Sequence, residues 1–212
     1  MRVLVHPTHP QERALAQAIE VLESGGVIIY PTDTAYAFGC DIENRKAVER
    51  ICRIKGVELE KAHLSCVCDN VAIIGRYANH VDTTVFKIMR QALPGPYTFI
   101  LEASKQIPRH FQYKKTVGIR VPDHPVPVRL SALLGRPIAS ISVPADEQGL
   151  GYDSDPARME ERFGKLVELI LDAGEGSHQL STVIDASKGE AAITVIREGA
   201  GPLEPLGLIL AE

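Results

Sequence analysis

Polar side chains stand at the ends of apolar segments throughout this chain. Val27-Ile28-Ile29-Tyr30 runs through Pro31 into Thr32-Asp33-Thr34. The segment Thr116 to Val121 carries Arg120, Ile138 to Val143 carries Ser140 and Ser142, Ser181 precedes Thr182 to Asp185, and Ile193 to Arg197 ends on a cation. Lys55 closes a helical segment beside Arg53. Hydroxyls orient an anion and cations neutralise it, so these are the residue types that an anionic ligand requires. Each also has a plainer explanation. A Ser or Thr after a strand serves as a turn residue or helix cap, Arg120 as a surface ion pair, and Lys55 as a cation meeting a helix dipole. His63 and His110 read as surface residues. The chain has no Walker A loop, no G-x-G-x-x-G and no H-x-x-x-H, so the usual phosphate loops and histidine metal motifs are excluded. Cys40, Cys52, Cys66 and Cys68 form no C-x-x-C pair, and buried apolar thiols are the expectation, with no metal site.

An open α/β sheet places its ligands where strands end, and the segment pattern supplies such a scaffold. Leu15, Ala18, Ile19 and Leu22 follow helical spacing up to Gly25-Gly26. Further helices are expected over 44–55, 70–77, 83–93, 127–134 and 156–163. Strands are expected over 27–30, 64–68, 97–101, 116–121, 138–143, 167–171, 182–185 and 193–197. Pro144 to Asp155, rich in Gly, Asp and Pro, reads as a loop. This alternation, without repeats or a linker, predicts one α/β domain over 1–212, with a twisted, open, mixed sheet and a concave ligand face. At 212 residues, 45% apolar and 24% charged, the composition excludes a disordered or disulfide-stapled chain. The formal charge of −4 gives no bulk attraction to nucleic acid. Arg109, His110, Lys114 and Lys115 nevertheless make a local basic cluster of the kind an RNA contact uses. No apolar run approaches membrane-span length and the start lacks an export signal, so a cytoplasmic protein is expected. Nothing in the pattern specifies an oligomeric state.

Five ordered motifs resemble those of the YrdC-like family. They are Pro31-Thr32-Asp33-Thr34-Ala35-Tyr36-Ala37-Phe38-Gly39, Pro94-Gly95-Pro96-Tyr97-Thr98, Thr116-Val117-Gly118-Ile119-Arg120-Val121-Pro122, Ser181-Thr182-Val183-Ile184-Asp185 and Arg197-Glu198-Gly199. The resemblance runs from about Gln11 to Gly201. It implies threonylcarbamoyl-AMP synthesis from L-threonine, bicarbonate and ATP, with Mg²⁺ accompanying the ATP and pyrophosphate released, in service of tRNA modification. By resemblance Thr34, Arg120 and Ser181 hold threonine, Arg120 pairing its carboxylate. Lys55, Thr116, Ser142 and Arg197 face the nucleotide, and Lys55 is also the candidate catalytic cation.

Two positions depart from the synthase pattern. K-G-R becomes Lys55-Gly56-Val57, and S-A-N becomes Ser142-Val143-Pro144. This looks like the YciO branch, a paralogue group. Losing one preorganised donor costs about 10²–10³ in rate, so a weak synthase is one expectation. A relative that binds nucleotide, tRNA or double-stranded RNA through the same cavity is a second, and a hydrolase or transferase acting on a modified nucleotide a third. The segment after Leu203 is too short for the second domain of longer synthases.

Overall fold

The computed structural model describes residues 1–111, 115–146 and 153–209; Lys114 and residues 147–152 of the expected loop lie outside the described residues. In chain order the elements are β1 (Arg2–Leu4), α1 (Glu12–Glu23), β2 (Ile28–Tyr30), β3 (Ala37–Asp41), α2 (Arg45–Lys55), β4 (Ser65–Val67), α3 (Ile74–Tyr77), α4 (Thr83–Ala92), β5 (Tyr97–Glu102), β6 (Thr116–Arg120), α5 (Pro125–Leu134), β7 (Ile138–Ser142), α6 (Pro156–Phe163), β8 (Leu169–Asp172), β9 (Thr182–Asp185) and β10 (Thr194–Arg197).

The strands join one open, mixed sheet in the order β1-β8-β2-β3-β7-β4-β6-β5-β9-β10. β1 with β8, β2 with β8, β4 with β6 and β5 with β9 run parallel, and the remaining neighbours run antiparallel. The sequence pattern does not predict β1 or β3. β1 is a three-residue edge strand. β3 is buried along its whole length, so it shows no alternation, and Gly39 interrupts its apolar run. The helix expected over 70–77 is a 3₁₀ turn, Val71–Ile73, followed by the four-residue α3.

Alternation along β2 separates two cores, because successive strand residues face opposite ways. Ile28 and Tyr30 pack with Leu15, Ala18 and Leu22 of α1 and with Val126, Leu130 and Leu134 of α5. Val27 and Ile29 pack in a second core with Val48 and Ile51 of α2, Met89 of α4 and Phe163 of α6. Each fully buried aliphatic or aromatic side chain contributes about 1.5–3 kcal/mol, so α1 and α5 are pinned to one face and α2, α4 and α6 to the other. The four thiols lie buried in the second core as free cysteines, and burial raises them, Cys68 to about 12.

The face that carries α1 and α5 changes character along the sheet. Cross-strand partners share a face. Gly39 lies opposite Ser140, Ser140 opposite Ser65, Ser65 opposite Gly118, Gly118 opposite Ile100, and Ile100 opposite Asp185. Over these strands most of the residues on that face are small or polar, with Ile100 an aliphatic exception, and this stretch is the floor of the site. Among the described residues no helix is long and apolar enough to cross a membrane.

Candidate functional site

A cavity of about 810 Å³ opens over that floor, within the range of about 300–1,000 Å³ typical of small-molecule sites. Thr34, Lys55, Thr116, Arg120, Ser142, Ser181 and Arg197, the residues nominated from the sequence, all line it. The two-residue period of β6 explains Thr116 and Arg120: Val117 and Ile119 enter the core, and the alternate residues line the cavity. Gly118, between them, keeps the floor close-packed and flat. A Cβ there would stand 3.2 Å from the Leu64 carbonyl oxygen and 3.4 Å from Thr98 Cγ2.

Lys55 reaches the cavity because α2 stops there. The Asn44 side chain caps the first turn by accepting from Ala47 N, and Gly56 ends the helix with φ 77°, a left-handed conformation that glycine adopts without a Cβ clash. Lys55 Nζ donates to the Ser142 carbonyl at 2.7 Å and to Ser142 Oγ at 3.4 Å. Burial, then the Arg197 cation, lowers the Lys55 ammonium to about 8. Burial and the nearby Arg120 cation lower Arg197 too; its Nε and Nη2 donate to the Ser181 carbonyl at 3.2 and 2.8 Å.

Arg120 is a buried side chain rather than the surface ion pair that its sequence context also allowed. Its Nη2 donates to Asp33 Oδ1 at 2.5 Å and to Thr34 Oγ1 at 2.7 Å. Its Nε is buried with no hydrogen-bond partner among the described residues. Thr34 is set by its own turn: Thr32 Oγ1 accepts from Thr34 N at 3.0 Å and donates to the Ala35 carbonyl at 2.8 Å.

Thr98, Ser65 and Asp185 join the site without having been nominated, and Ser140, singled out on its strand together with Ser142, lies there too. Thr98 Oγ1 and Ser181 Oγ lie 2.9 Å apart on the floor. Ser65, Ser140 and Asp185 share its cross-strand rows, and strand alternation is the signal that finds them. Ser140 is held by Tyr30 Oη at 2.6 Å, and burial pushes that phenol up to about 12. Thr182, at the same strand end as Ser181, is structural: its hydroxyl donates to the Gly201 carbonyl and accepts from Gly199 N. His63 and His110 also line the cavity, with His110 Nε2 2.9 Å from the Ile42 carbonyl oxygen. His110 is half-buried rather than the surface residue its context suggested, whereas His63 is exposed, as expected, at the cavity's edge. Arg109 and Lys115, the described remainder of the basic cluster, are exposed beside it.

The two departures separate in space. Val57 lines the cavity, whereas Pro144 is not among the residues that do. Glu60 and Asp185 are the carboxylates among the described lining residues, and among the described residues no cluster of three His, Cys, Asp or Glu could hold a metal ion. The arrangement can grip an anion with Lys55 and Arg197 and a carboxylate with Arg120, against a floor of hydroxyls.

An open mixed sheet with a hydroxyl-floored, cation-rimmed cavity defines an α/β protein whose cavity holds the residue types an anion requires. The chain belongs to the Sua5/YciO/YrdC family, whose model, described as telomere recombination, matches residues 20–199. It is 39% identical over 206 residues to the YciO protein of Escherichia coli (strain K12), covering 95% of this chain and 96% of that one. The crystal structure of E. coli YciO superposes with a TM-score of 0.88, covering 97% and 98% of the two chains. A threonylcarbamoyl-AMP synthase of Pseudoalteromonas translucida is 32% identical over 188 residues, 84% of this chain and 96% of that one. The crystal structure of P. abyssi Sua5 complexed with L-threonine matches with a TM-score of 0.84 at 28% identity, covering 96% of this chain and 59% of that one.

Proposed function

We propose that the cavity binds L-threonine and ATP and that the protein has threonylcarbamoyl-AMP synthase-type activity, weakened at the phosphates and serving tRNA modification. The observation that carries this reading is the convergence of Thr34, Lys55, Thr116, Arg120, Ser142, Ser181 and Arg197, scattered along the chain, on one cavity. A family relative complexed with L-threonine supports the amino-acid half. A relative that is a threonylcarbamoyl-AMP synthase supports the adenylate half.

In this reading Arg120, with its unpartnered Nε, takes the threonine carboxylate, while Thr34 and Ser181 orient the amino acid. The threonine amine combines with bicarbonate, losing water, to give a carbamate. A carbamate oxygen attacks the α-phosphorus of ATP, and the bond to pyrophosphate breaks. The chemistry asks for positioning and for cations near the developing charge more than for acids or bases. Lys55 and Arg197 supply those cations, and Thr116 and Ser142 supply hydroxyls. Mg²⁺ is treated as part of the Mg·ATP substrate, carried on the phosphates.

The test is pyrophosphate release from ATP in the presence of Mg²⁺, bicarbonate and threonine, with each omitted in turn. Threonine-dependent release supports the reading; no such release, together with no binding of either substrate, counts against it. A second reading, a relative that binds nucleotide or RNA without synthesis, is favoured by one observation: Val57 puts an apolar side chain on the wall where synthases carry a cation. Exposed Arg109 and Lys115 would then contact tRNA or double-stranded RNA, as a salt-dependent gel shift would report.

A further inference from the structure

The three inner cations of the cavity are compensated differently. Lys55 and Arg197 meet only uncharged oxygens among the described residues, those of Ser142 and Ser181. Arg120 instead rests against a carboxylate, Asp33, and both side chains are only 10% exposed. Asp33 is not among the residues that line the cavity; it stands behind Arg120, outside the wall. Its second oxygen accepts from Asp123 N at 3.0 Å, in the loop that leaves β6 just past Arg120. The carboxylate is therefore fixed at both oxygens, and it fixes Nη2 in turn. Among the described residues the buried Nε is left as a donor without a partner, which a native protein retains where a ligand or water completes it.

We propose that Asp33 is a specificity-determining residue that neutralises and orients Arg120 from behind, so that this end of the cavity takes an α-amino acid and only the Lys55–Arg197 end takes phosphate. The inference rests on the reading of threonine and ATP as ligands and adds what divides them. A zwitterion brings its own cation with its carboxylate, and so loses little at a site whose net charge is already zero. A bare anion gains most where a cation is uncompensated. Without Asp33, three adjacent cations would face one another, and phosphate could settle across the amino-acid end.

The Asp33→Asn substitution keeps the size of the side chain and removes its charge. In the full-length protein we expect the dissociation constant for L-threonine to rise about tenfold or more, since a charge-assisted contact to Arg120 loses its geometry. The dissociation constant for inorganic phosphate should fall severalfold, since the cavity gains one positive charge. The Arg120 Nε–H resonance of the ligand-free protein should move as well. Opposed shifts of the two ligands are what a merely structural role cannot produce. Both ligands weakening together, or neither changing, overturns the proposal. Should Asp33→Asn not fold, Asp33→Glu keeps the charge and displaces it by one methylene. It should weaken threonine and leave phosphate unchanged, and a gain in phosphate affinity there overturns the proposal. If the wild type binds phosphate but no threonine, the threonine reading falls, and the direction of the phosphate shift and the Arg120 signal still decide the role of Asp33.

Discussion

Restoring a cation at position 57 isolates what separates this cavity from a triphosphate site. The backbone of Val57 is already fixed, because its N–H donates to the Cys52 carbonyl at 3.0 Å as part of the helix stop at Gly56. A longer side chain therefore projects from a defined point into the cavity that Val57 lines. In Val57→Arg the gain is a charge-assisted contact to phosphate, about 1.5–3 kcal/mol. The loss is the partial packing of Val57 against the core, about 1 kcal/mol or less. Repulsion from Lys55 and Arg197 destabilises the free protein and is relieved when phosphate binds, so it lowers Tm without subtracting from affinity. The balance, about 0.5–2 kcal/mol, predicts ATP binding tightened by about 2–30-fold, with a smaller rise in pyrophosphate release. Pro144→Asn should change ATP binding less than about twofold, because Pro144 does not line the cavity and repair there needs the chain to reroute. Titration calorimetry with ATP and a pyrophosphate-release assay on the two single variants and the double check this. A folded Val57→Arg with no gain in either quantity, or a larger gain from Pro144→Asn, refutes the reasoning and means that the wall was rebuilt for another ligand.

Two titrating groups give the further outcomes. Lys55 grips phosphate only as an ammonium, so ATP affinity should fall as pH rises through about 8, and Lys55→Arg should flatten that dependence in a calorimetric pH series. In the free protein the sign is opposite. The folded value lies below the ordinary 10.5, the unfolded chain binds the extra proton, and stability contributed by this group should rise from about pH 8 to 10.5, as urea unfolding would show. His124 caps α5 by accepting from Val126 N at 3.2 Å, which requires an unprotonated Nδ1. Burial lowers its pKa below 6.5, against the opposing pull of Asp33 and Asp123. Its contribution is therefore complete above 6.5 and lost as pH falls through that value toward the folded one. His124→Asn keeps a capping oxygen and should reduce the acid-side loss of stability in urea unfolding below about pH 6.5.

What the sequence disclosed and what it withheld divide along the range of the interactions. Strand alternation is local, so Thr116-Val117-Gly118-Ile119-Arg120 and Ile138-Ala139-Ser140-Ile141-Ser142 declare which residues face the cavity, and the helix stop at Gly56 declares where Lys55 ends. Along the other strands the same alternation also selects Thr98, Ser65 and Asp185. Asp33 was opaque for a different reason. In Pro31-Thr32-Asp33-Thr34 it looks like turn chemistry, and its partner Arg120 lies 87 positions away, joined only by the fold. His110 was opaque likewise, since the Ile42 carbonyl that holds it lies 68 positions away. The two departures, Val57 and Pro144, are equivalent as motif positions and unequal in the fold. Gly56 delivers Val57 to the wall, while the cavity lining on the Ser142 side does not extend to Pro144. In the proposed reading the phosphate end therefore has one cation fewer on its wall than the synthase pattern, with Lys55, Thr116, Ser142 and Arg197 still assembled around the space that cation would enter, and that arithmetic favours a weakened nucleotide site over an abandoned one.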